Sequence, residues 1–232
     1  MRRSTSLRGL VLVGLLALGG TALAKDGVAH YKERVAAFEA ENKTLDPKAR
    51  HVVLVGDSLT EGWTASRVKR FLPTVGPSVL NRGISSDGVG VNARGVLNRL
   101  DASILDCHAT HAFLLIGVND LGRDGSGVEG AAKAYDRLVR RVRESAPRLH
   151  LVAITLAPAA KGYKDMNPGI VKFNDRVRAI AAATSTSVID LHAKLVDAAG
   201  ALPEALTTDG LHWTDGVYET LGAEIERAAR SR

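Results

Sequence analysis

The 232-residue sequence contains a single cysteine and few aromatic residues: two Trp, four Tyr and four Phe. Because Cys107 has no second cysteine to pair with, no intramolecular disulfide can form, and we expect this residue to fill a small apolar site in the core. Proteins that bind single-stranded nucleic acid stack the bases on aromatic side chains. The aromatic residues here are scarce and are not interleaved with basic ones, so the sequence argues against a nucleic-acid partner.

The positive charge of the chain is concentrated at its N-terminus. The formal net charge is +6, and Arg2, Arg3 and Arg8 supply three of these charges. An apolar run over residues 9–20 follows, and small residues lead up to Ala24. A basic start, an apolar middle and small residues before a cleavage point are typical of a secretory signal peptide. We therefore expect residues 1–24 to be removed and the protein to be periplasmic or secreted.

Two alternatives concern this signal segment. A permanent membrane anchor is disfavoured because the apolar run is short and contains Gly19 and Gly20, so no stable anchor is expected after cleavage. The pair Arg2-Arg3 permits twin-arginine export, yet the residues that follow lack the usual hydrophobic pair. Both the twin-arginine route and the general secretory route therefore stay open.

The chain that remains after cleavage has the size of one domain. It comprises 208 residues with a formal charge of +3, a surplus too small to indicate a polyanionic partner. It contains no repeat and no Pro- or Gly-rich linker, and its length is sufficient for one full hydrophobic core. We expect an N-terminal helical extension over residues 25–50 and one globular domain over residues 51–232.

Short apolar segments alternate with longer amphipathic ones along the rest of the sequence. Apolar, β-branched runs without polar alternation predict strands that are buried on both faces. The strands are predicted at residues 51–56, 78–81, 112–117, 150–156 and 187–191. The helices are predicted at residues 28–44, 60–72, 91–105, 128–145, 168–184 and 215–230. This alternation predicts a five-stranded parallel sheet in a three-layer α/β/α sandwich.

Polar clusters follow the predicted strands at the edge where open α/β sheets place their active sites. The first two are Gly56-Asp57-Ser58-Leu59-Thr60 and Asn81-Arg82-Gly83-Ile84-Ser85. The other two are Gly117-Val118-Asn119-Asp120 and Asp209-Gly210-Leu211-His212. Each cluster alone has a structural explanation, because Asp and Ser cap helices and Gly and Asn form turns. Their occurrence together, in this order, favours a catalytic site.

The residue types in these clusters are those of nucleophilic catalysis. A serine hydroxyl needs a neighbouring imidazole as base, and the imidazole needs a carboxylate to orient it. Asp209 and His212 are three residues apart and can share one side of a turn, with the imidazole directed at Ser58. The oxyanion needs fixed donors. The backbone N–H groups of Ser58 and Gly83 and the side-chain amide of Asn119 are the candidates, and a glycine at position 83 would let the substrate approach closely.

These four clusters resemble the four sequence blocks of the SGNH, or GDSL, hydrolases. The resemblance extends from about His51 to Tyr218, and the segments after Asn81 and Leu115 are most similar to the branch of platelet-activating-factor acetylhydrolase-type esterases. It implies a flavodoxin-like fold and ester hydrolysis without a metal or other cofactor. It further implies an acyl-enzyme on Ser58, with Asp209 and His212 completing the triad. The Gly-x-Ser-x-Gly elbow of the α/β-hydrolases is absent from the sequence.

The substrate and its pocket are predicted less directly. Short insertions after the strands leave no obvious lid, so we expect short acyl groups such as acetate on a glycan or a small molecule. The predicted pocket walls are Trp63, Tyr163, Met166 and Trp213. A lysophospholipase or thioesterase that acts on longer chains is the alternative. A non-catalytic ligand-binding domain is the alternative from another class, although it has no need of all four clusters.

Other reactive residues have structural explanations. His108 and His111 have a spacing found in metal sites, but they precede the third strand and lack a neighbouring acidic ligand. Asp57 and Asp120 are expected to hydrogen-bond the loops at the strand ends rather than to serve as the triad acid. The basic residues of the fourth helix are typical of a solvated helix face.

Overall fold

Five parallel strands form the central sheet of the computed structural model, which describes residues 16–91, 94–122, 125, 127–146 and 148–230, with side chains from residue 27. The strands are β1 (Val52–Gly56), β2 (Val79–Gly83), β3 (His111–Leu115), β4 (His150–Ile154) and β5 (Ser187–Ile189). Their order in the sheet is β2-β1-β3-β4-β5. The predicted five-stranded parallel sheet is therefore confirmed.

Helices flank this sheet. They are α1 (Leu16–Asn42), α2 (Ser58–Glu61), α3 (Ala65–Phe71), α4 (Leu100–Ser103), α5 (Val128–Ser145), α6 (Asn167–Ala183), α7 (Leu191–Leu195) and α8 (Asp215–Ala228). Strands β1 and β3 are buried along their whole length, which explains why their residues are apolar apart from His111 at the start of β3. In register, Gly56 at the end of β1 lies beside Gly83 of β2 and Leu115 of β3. The loops after these three strands therefore emerge side by side at one edge.

Three predicted helices differ from the observed ones. The helix expected over residues 28–44 begins earlier, at Leu16, and ends at Asn42. The helix expected over residues 60–72 is split into α2 and α3 because Thr64 adopts an extended conformation. Its side chain accepts the Arg67 N–H and so caps the N-terminus of α3. A β-carbon on Gly62 would lie 2.0 Å from the Tyr218 hydroxyl, so a tertiary contact also shapes this break.

Only short helical turns replace the helix expected over residues 91–105. They are a 3-10 turn at Val96–Arg99, helix α4, and a 3-10 turn at Leu105–Cys107. Gly95 has a φ of 128°, which is incompatible with a helix. The Arg99 side chain is directed into the protein, where it pairs with Asp87. Residues 92 and 93 of this prediction lie outside the described residues.

The N-terminal helix α1 packs beside β2. Phe38 joins Ile84 and Ala102 in a small apolar cluster, and Asn42 donates a hydrogen bond to the Ala102 carbonyl at 2.8 Å. Most of the predicted signal segment, residues 1–15, lies outside the described part of the chain. Within the described part, no helix combines the length and the apolar character required to cross a membrane.

Candidate active site

Ser58 lies at the sharp turn between β1 and α2. A β-carbon on Gly56 would lie 2.2 Å from both the Leu115 carbonyl oxygen and the Thr60 hydroxyl, so only glycine allows the helix to begin this close to the sheet. Asp57 caps α2, since its side chain accepts the Leu59 N–H at 3.0 Å. The turn leaves Ser58, the first residue of α2, half-buried at the end of the sheet.

The structure brings Ser58, His212 and Asp209 into one hydrogen-bonded chain. Ser58 Oγ lies 3.0 Å from His212 Nε2, and His212 Nδ1 lies 2.7 Å from Asp209 Oδ2. With the proton on Nδ1, the ring donates to Asp209 and accepts the Ser58 O–H. This is the arrangement in which an imidazole acts as general base toward a serine.

The loop that carries Asp209 and His212 fixes both side chains. The second carboxylate oxygen of Asp209 accepts the backbone N–H groups of Leu211 and His212, each at 2.8 Å. Partial burial raises the pKa of Asp209, but the hydrogen bonds from the His212 ring and from these N–H groups hold it at about 2. Asp209 is therefore ionised at neutral pH and can stabilise an imidazolium at His212.

Three N–H groups at this edge of the sheet make no hydrogen bond with a described residue. They are the backbone N–H groups of Ser58 and Ser86 and one of the two N–H bonds of the Asn119 amide. The other Asn119 N–H donates to the Asp87 carbonyl at 2.8 Å, which fixes the orientation of the amide. Unsatisfied, fixed donors are what a developing oxyanion requires.

Contrary to expectation, Gly83 does not supply a donor to the oxyanion. Its N–H donates to Asn81 Oδ1 at 2.8 Å and so is not free to bind an oxyanion. A β-carbon at Gly83 would lie 2.1 Å from the Glu61 backbone nitrogen. The glycine is required because helix α2 packs against β2, and not because a substrate approaches there.

Ser86 is a donor that the sequence reasoning did not consider. It is exposed and has a φ of 61°, a conformation that is unusual for a residue with a side chain. It lies between Ser85, which is bound by Glu61, and Asp87, whose carbonyl is bound by Asn119. The strained conformation presents the N–H of Ser86 without an internal partner. No sequence signal indicates it, because the left-handed position is occupied by serine rather than by glycine.

Buried carboxyl groups lie behind the triad. Asp57 is fully buried, and burial, together with the negative charges of Asp87 and Asp120, raises its pKa to about 7 despite the hydrogen bond from Leu59. Asp87 forms a buried ion pair with Arg99 at 2.8 Å. Asp120 accepts the Val89 N–H at 2.9 Å. Asp120 thus hydrogen-bonds a strand-end loop, as expected, whereas Asp57 caps helix α2.

The predicted pocket walls are mostly core residues. Trp63 and Trp213 are each 3% exposed, and their rings pack against Tyr218 with centroid distances of 5.1 and 5.5 Å. The Tyr218 hydroxyl donates to the Leu59 carbonyl at 3.0 Å, so the cluster of these three aromatic rings is hydrogen-bonded to helix α2. Met166 is also buried, and Tyr163 is half-buried. The two tryptophans therefore support the site but present little surface to a substrate.

The histidines with metal-like spacing lie at the opposite end of the sheet. His111 begins β3 and its ring stacks on that of His150, with 4.9 Å between centroids. The described residues contain no group of three or more side chains suited to hold a metal ion. Cys107 is buried, and burial raises the pKa of its thiol.

Comparison with known proteins identifies the family to which this chain is similar. The model of the GDSL-like lipase/acylhydrolase family matches residues 54–220. Among solved structures, a Streptococcus pneumonia protein named for platelet activating factor is 22% identical, with a TM-score of 0.78 over 91% of this chain and 98% of that one. A GDSL-like lipase from Bacteroides thetaiotaomicron is 22% identical, with a TM-score of 0.71 over 84% and 96%.

An enzyme of known substrate has the same fold. The acetylxylan esterase Axe2 from Geobacillus stearothermophilus is 18% identical, with a TM-score of 0.63 over 79% of this chain and 98% of that one. No protein of curated function matches the sequence. The family model spans well over half of the chain, and the chain therefore belongs to the GDSL-like lipase/acylhydrolase family of hydrolases.

Proposed function

We propose that this protein is an exported esterase that removes short acyl groups, such as acetyl, from a glycan or a small molecule. The observation that carries the proposal is the chain Ser58–His212–Asp209, with distances of 3.0 and 2.7 Å, beside three unsatisfied N–H groups. A nucleophile, a base and oxyanion donors are the parts that acyl transfer requires.

The mechanism proceeds in two steps. His212 Nε2 removes the Ser58 proton as Oγ attacks the ester carbonyl, and Asp209 stabilises the imidazolium. The N–H groups of Ser58, Ser86 and Asn119 bind the oxyanion. His212 then gives its proton to the leaving alcohol, which leaves an acyl group on Ser58. A water molecule, activated by the same imidazole, releases the acid and restores the serine.

The openness of the site supports a short acyl group and a large alcohol. The side chains of His212 and Asp209 are each 46% exposed, and Ser58 is only half-buried. The nearby tryptophans, which could have formed an apolar channel, pack against Tyr218 instead. A long acyl chain would gain little apolar burial here, whereas a bulky glycan could approach without hindrance.

Replacement of the nucleophile tests the reaction. Ser58→Ala should abolish hydrolysis of p-nitrophenyl acetate, whereas Ser66→Ala, at an exposed serine outside the site, should retain it. Equal turnover by Ser58→Ala and the wild type would refute the proposal. Among p-nitrophenyl esters of increasing length, turnover should be greatest for acetate or propionate. Preference for acyl chains of about eight carbons or more would favour the lysophospholipase or thioesterase alternative.

Export is the part of the proposal that rests on the sequence of residues 1–24. Cleavage after Ala24 would retain the segment of α1 from His30 to Asn42, which contacts the body of the protein. Mass spectrometry of the protein after expression in a bacterium should find an N-terminus at Lys25 in the periplasm or the medium. A cytoplasmic protein with residues 1–24 intact would contradict export.

A further inference from the structure

Glu61 joins the helix of the nucleophile to the loop after β2. It is the last residue of α2, three residues after Ser58. Its Oε2 accepts the backbone N–H of Ser85 at 2.6 Å and also the Ser85 hydroxyl. One carboxylate therefore holds both donors of the residue that precedes Ser86.

The N-terminal helix α1 holds this carboxylate in place. His30 Nε2 lies 3.0 Å from Glu61 Oε1, and Arg34 Nε lies 3.7 Å from the same oxygen. Arg34 also donates a hydrogen bond to the Gly83 carbonyl at 3.2 Å. It therefore contacts both the Glu61 carboxylate and the end of β2, where the loop begins. Partial burial raises the pKa of Glu61, but the hydrogen bonds from Ser85 and His30 bring it below its ordinary value. Glu61 is thus ionised. It accepts hydrogen bonds from both Ser85 donors and from His30, and it forms an ion pair with Arg34.

The loop that Glu61 holds, residues 85–87, contributes to the oxyanion site at two points. Ser86 presents its unpaired N–H from a left-handed conformation. The next carbonyl, that of Asp87, orients the Asn119 amide. A shift of this loop would therefore displace two of the three oxyanion donors at once, while leaving the Ser58–His212 contact in place.

We propose that Glu61 is a positioning residue for the oxyanion site, and that His30 and Arg34 of helix α1 hold its carboxylate in the required position. The helix lies outside residues 54–220, which the family model matches. The proposal rests on the proposed function for its kinetic consequences, but its structural consequence, the order of residues 85–87, can be measured independently.

The variant Glu61→Gln tests the proposal with little change in volume. An amide has only one accepting oxygen, so the Gln side chain cannot bind the Ser85 donors and also accept from His30 and Arg34, and the loop should loosen. We expect kcat for p-nitrophenyl acetate to fall at least about tenfold with KM nearly unchanged, because oxyanion donors act in the transition state. Affinity for a boronic acid, which forms a tetrahedral adduct with the serine, should fall by a similar factor. Amide hydrogen exchange of residues 84–87 should become faster.

A matched control separates this effect from the loss of any surface ion pair. Glu129→Gln removes the exposed ion pair with Arg176, which joins helices α5 and α6 and includes neither Glu61 nor any residue of the 85–87 loop. It should leave kcat, inhibitor affinity and exchange of residues 84–87 unchanged. The double variant His30→Ala/Arg34→Ala keeps Glu61 itself and should reproduce part of the kcat loss, since the carboxylate then lacks its anchors on α1.

The results for Glu61→Gln distinguish a positioning role from a purely structural one. Unchanged kcat and unchanged exchange in Glu61→Gln would overturn the proposal. A fall in thermal stability with normal kcat on the folded protein would show that Glu61 is only structural, which also overturns it. If the wild type hydrolyses no ester, the proposed function fails, and the exchange of residues 84–87 still decides whether Glu61 orders the loop.

Discussion

The buried carboxyl group of Asp57 should make the fold less stable as the pH rises. Asp57 is fully buried, one of its oxygens accepts the Leu59 N–H, and the other has no hydrogen-bond partner among the described residues. Burial is the main cause that raises its pKa from 3.8 to about 7, and the charges of Asp87 and Asp120 add to it. The folded protein therefore keeps a proton on Asp57 that the unfolded chain releases.

The pH dependence follows from this difference. At a pH below 3.8 the carboxyl is protonated in both states and contributes no difference. As the pH rises from 3.8 to about 7, only the unfolded chain loses the proton, so the stability of the fold decreases. At about 1.4 kcal/mol for each pH unit of this window, the loss is on the order of 4 kcal/mol and is complete above it.

The variant Asp57→Asn removes this loss while an amide oxygen can still cap α2. The free energy of unfolding can be measured in urea by the fluorescence of Trp63 and Trp213. We expect the variant to be close to the wild type at about pH 4 and more stable by up to about 4 kcal/mol at about pH 8. A variant that is less stable than the wild type at both pH values would refute the reasoning, because it would mean that the ionised carboxylate stabilises the fold.

Asp190 provides a matched control, because it also caps a helix after a strand. Partial burial raises the pKa of Asp190, but hydrogen bonds from Arg178, Ala193 and Thr155 lower it overall. Here the folded state favours the ionised form, so the stabilisation is present above the pKa of the unfolded chain and is lost as the pH falls. Asp190→Asn should therefore be less stable than the wild type at about pH 8, and the difference should diminish toward about pH 3.

Three further substitutions test other contacts. Gly83→Ala places a β-carbon 2.1 Å from the Glu61 nitrogen and should lower the free energy of unfolding by about 1–3 kcal/mol in a urea titration; an unchanged midpoint would contradict the packing role. Arg99→Met leaves Asp87 without its buried partner and should cost about 3–5 kcal/mol by the same measurement, whereas a neutral effect would show that Asp87 is protonated. Asp209→Asn should reduce kcat for p-nitrophenyl acetate by roughly 10³–10⁴ in protein that remains folded, and a loss below tenfold would remove Asp209 from the triad.

The two central strands β1 and β3 were the most predictable part of the sheet because they are buried on both faces. Residues 52–56 and 112–115 are apolar throughout, and this pattern can be read from the local sequence alone. Helix α5, at Val128–Ser145, also has the predicted bounds, since its apolar residues recur at helical spacing. These elements required no knowledge of their neighbours.

The remaining differences arise from tertiary contacts that no local pattern records. Gly62 meets the hydroxyl of Tyr218, more than 150 residues away in the chain, and the helix breaks there. Arg99 lies in the segment predicted as one helix, but its side chain is buried against Asp87 and the Gly56 carbonyl. Gly83 reads as a donor near the substrate, yet its surroundings are the backbone of α2. In each case, the partner comes from a distant part of the sequence.

Trapping of the acyl-enzyme tests the central claim most directly. The wild-type protein is mixed with p-nitrophenyl acetate, quenched in acid within the first turnover, digested and analysed by mass spectrometry. The account predicts one added acetyl group on the peptide that contains Ser58, and none in Ser58→Ala. An acetyl group on another residue, or hydrolysis at the full rate by Ser58→Ala, would contradict it.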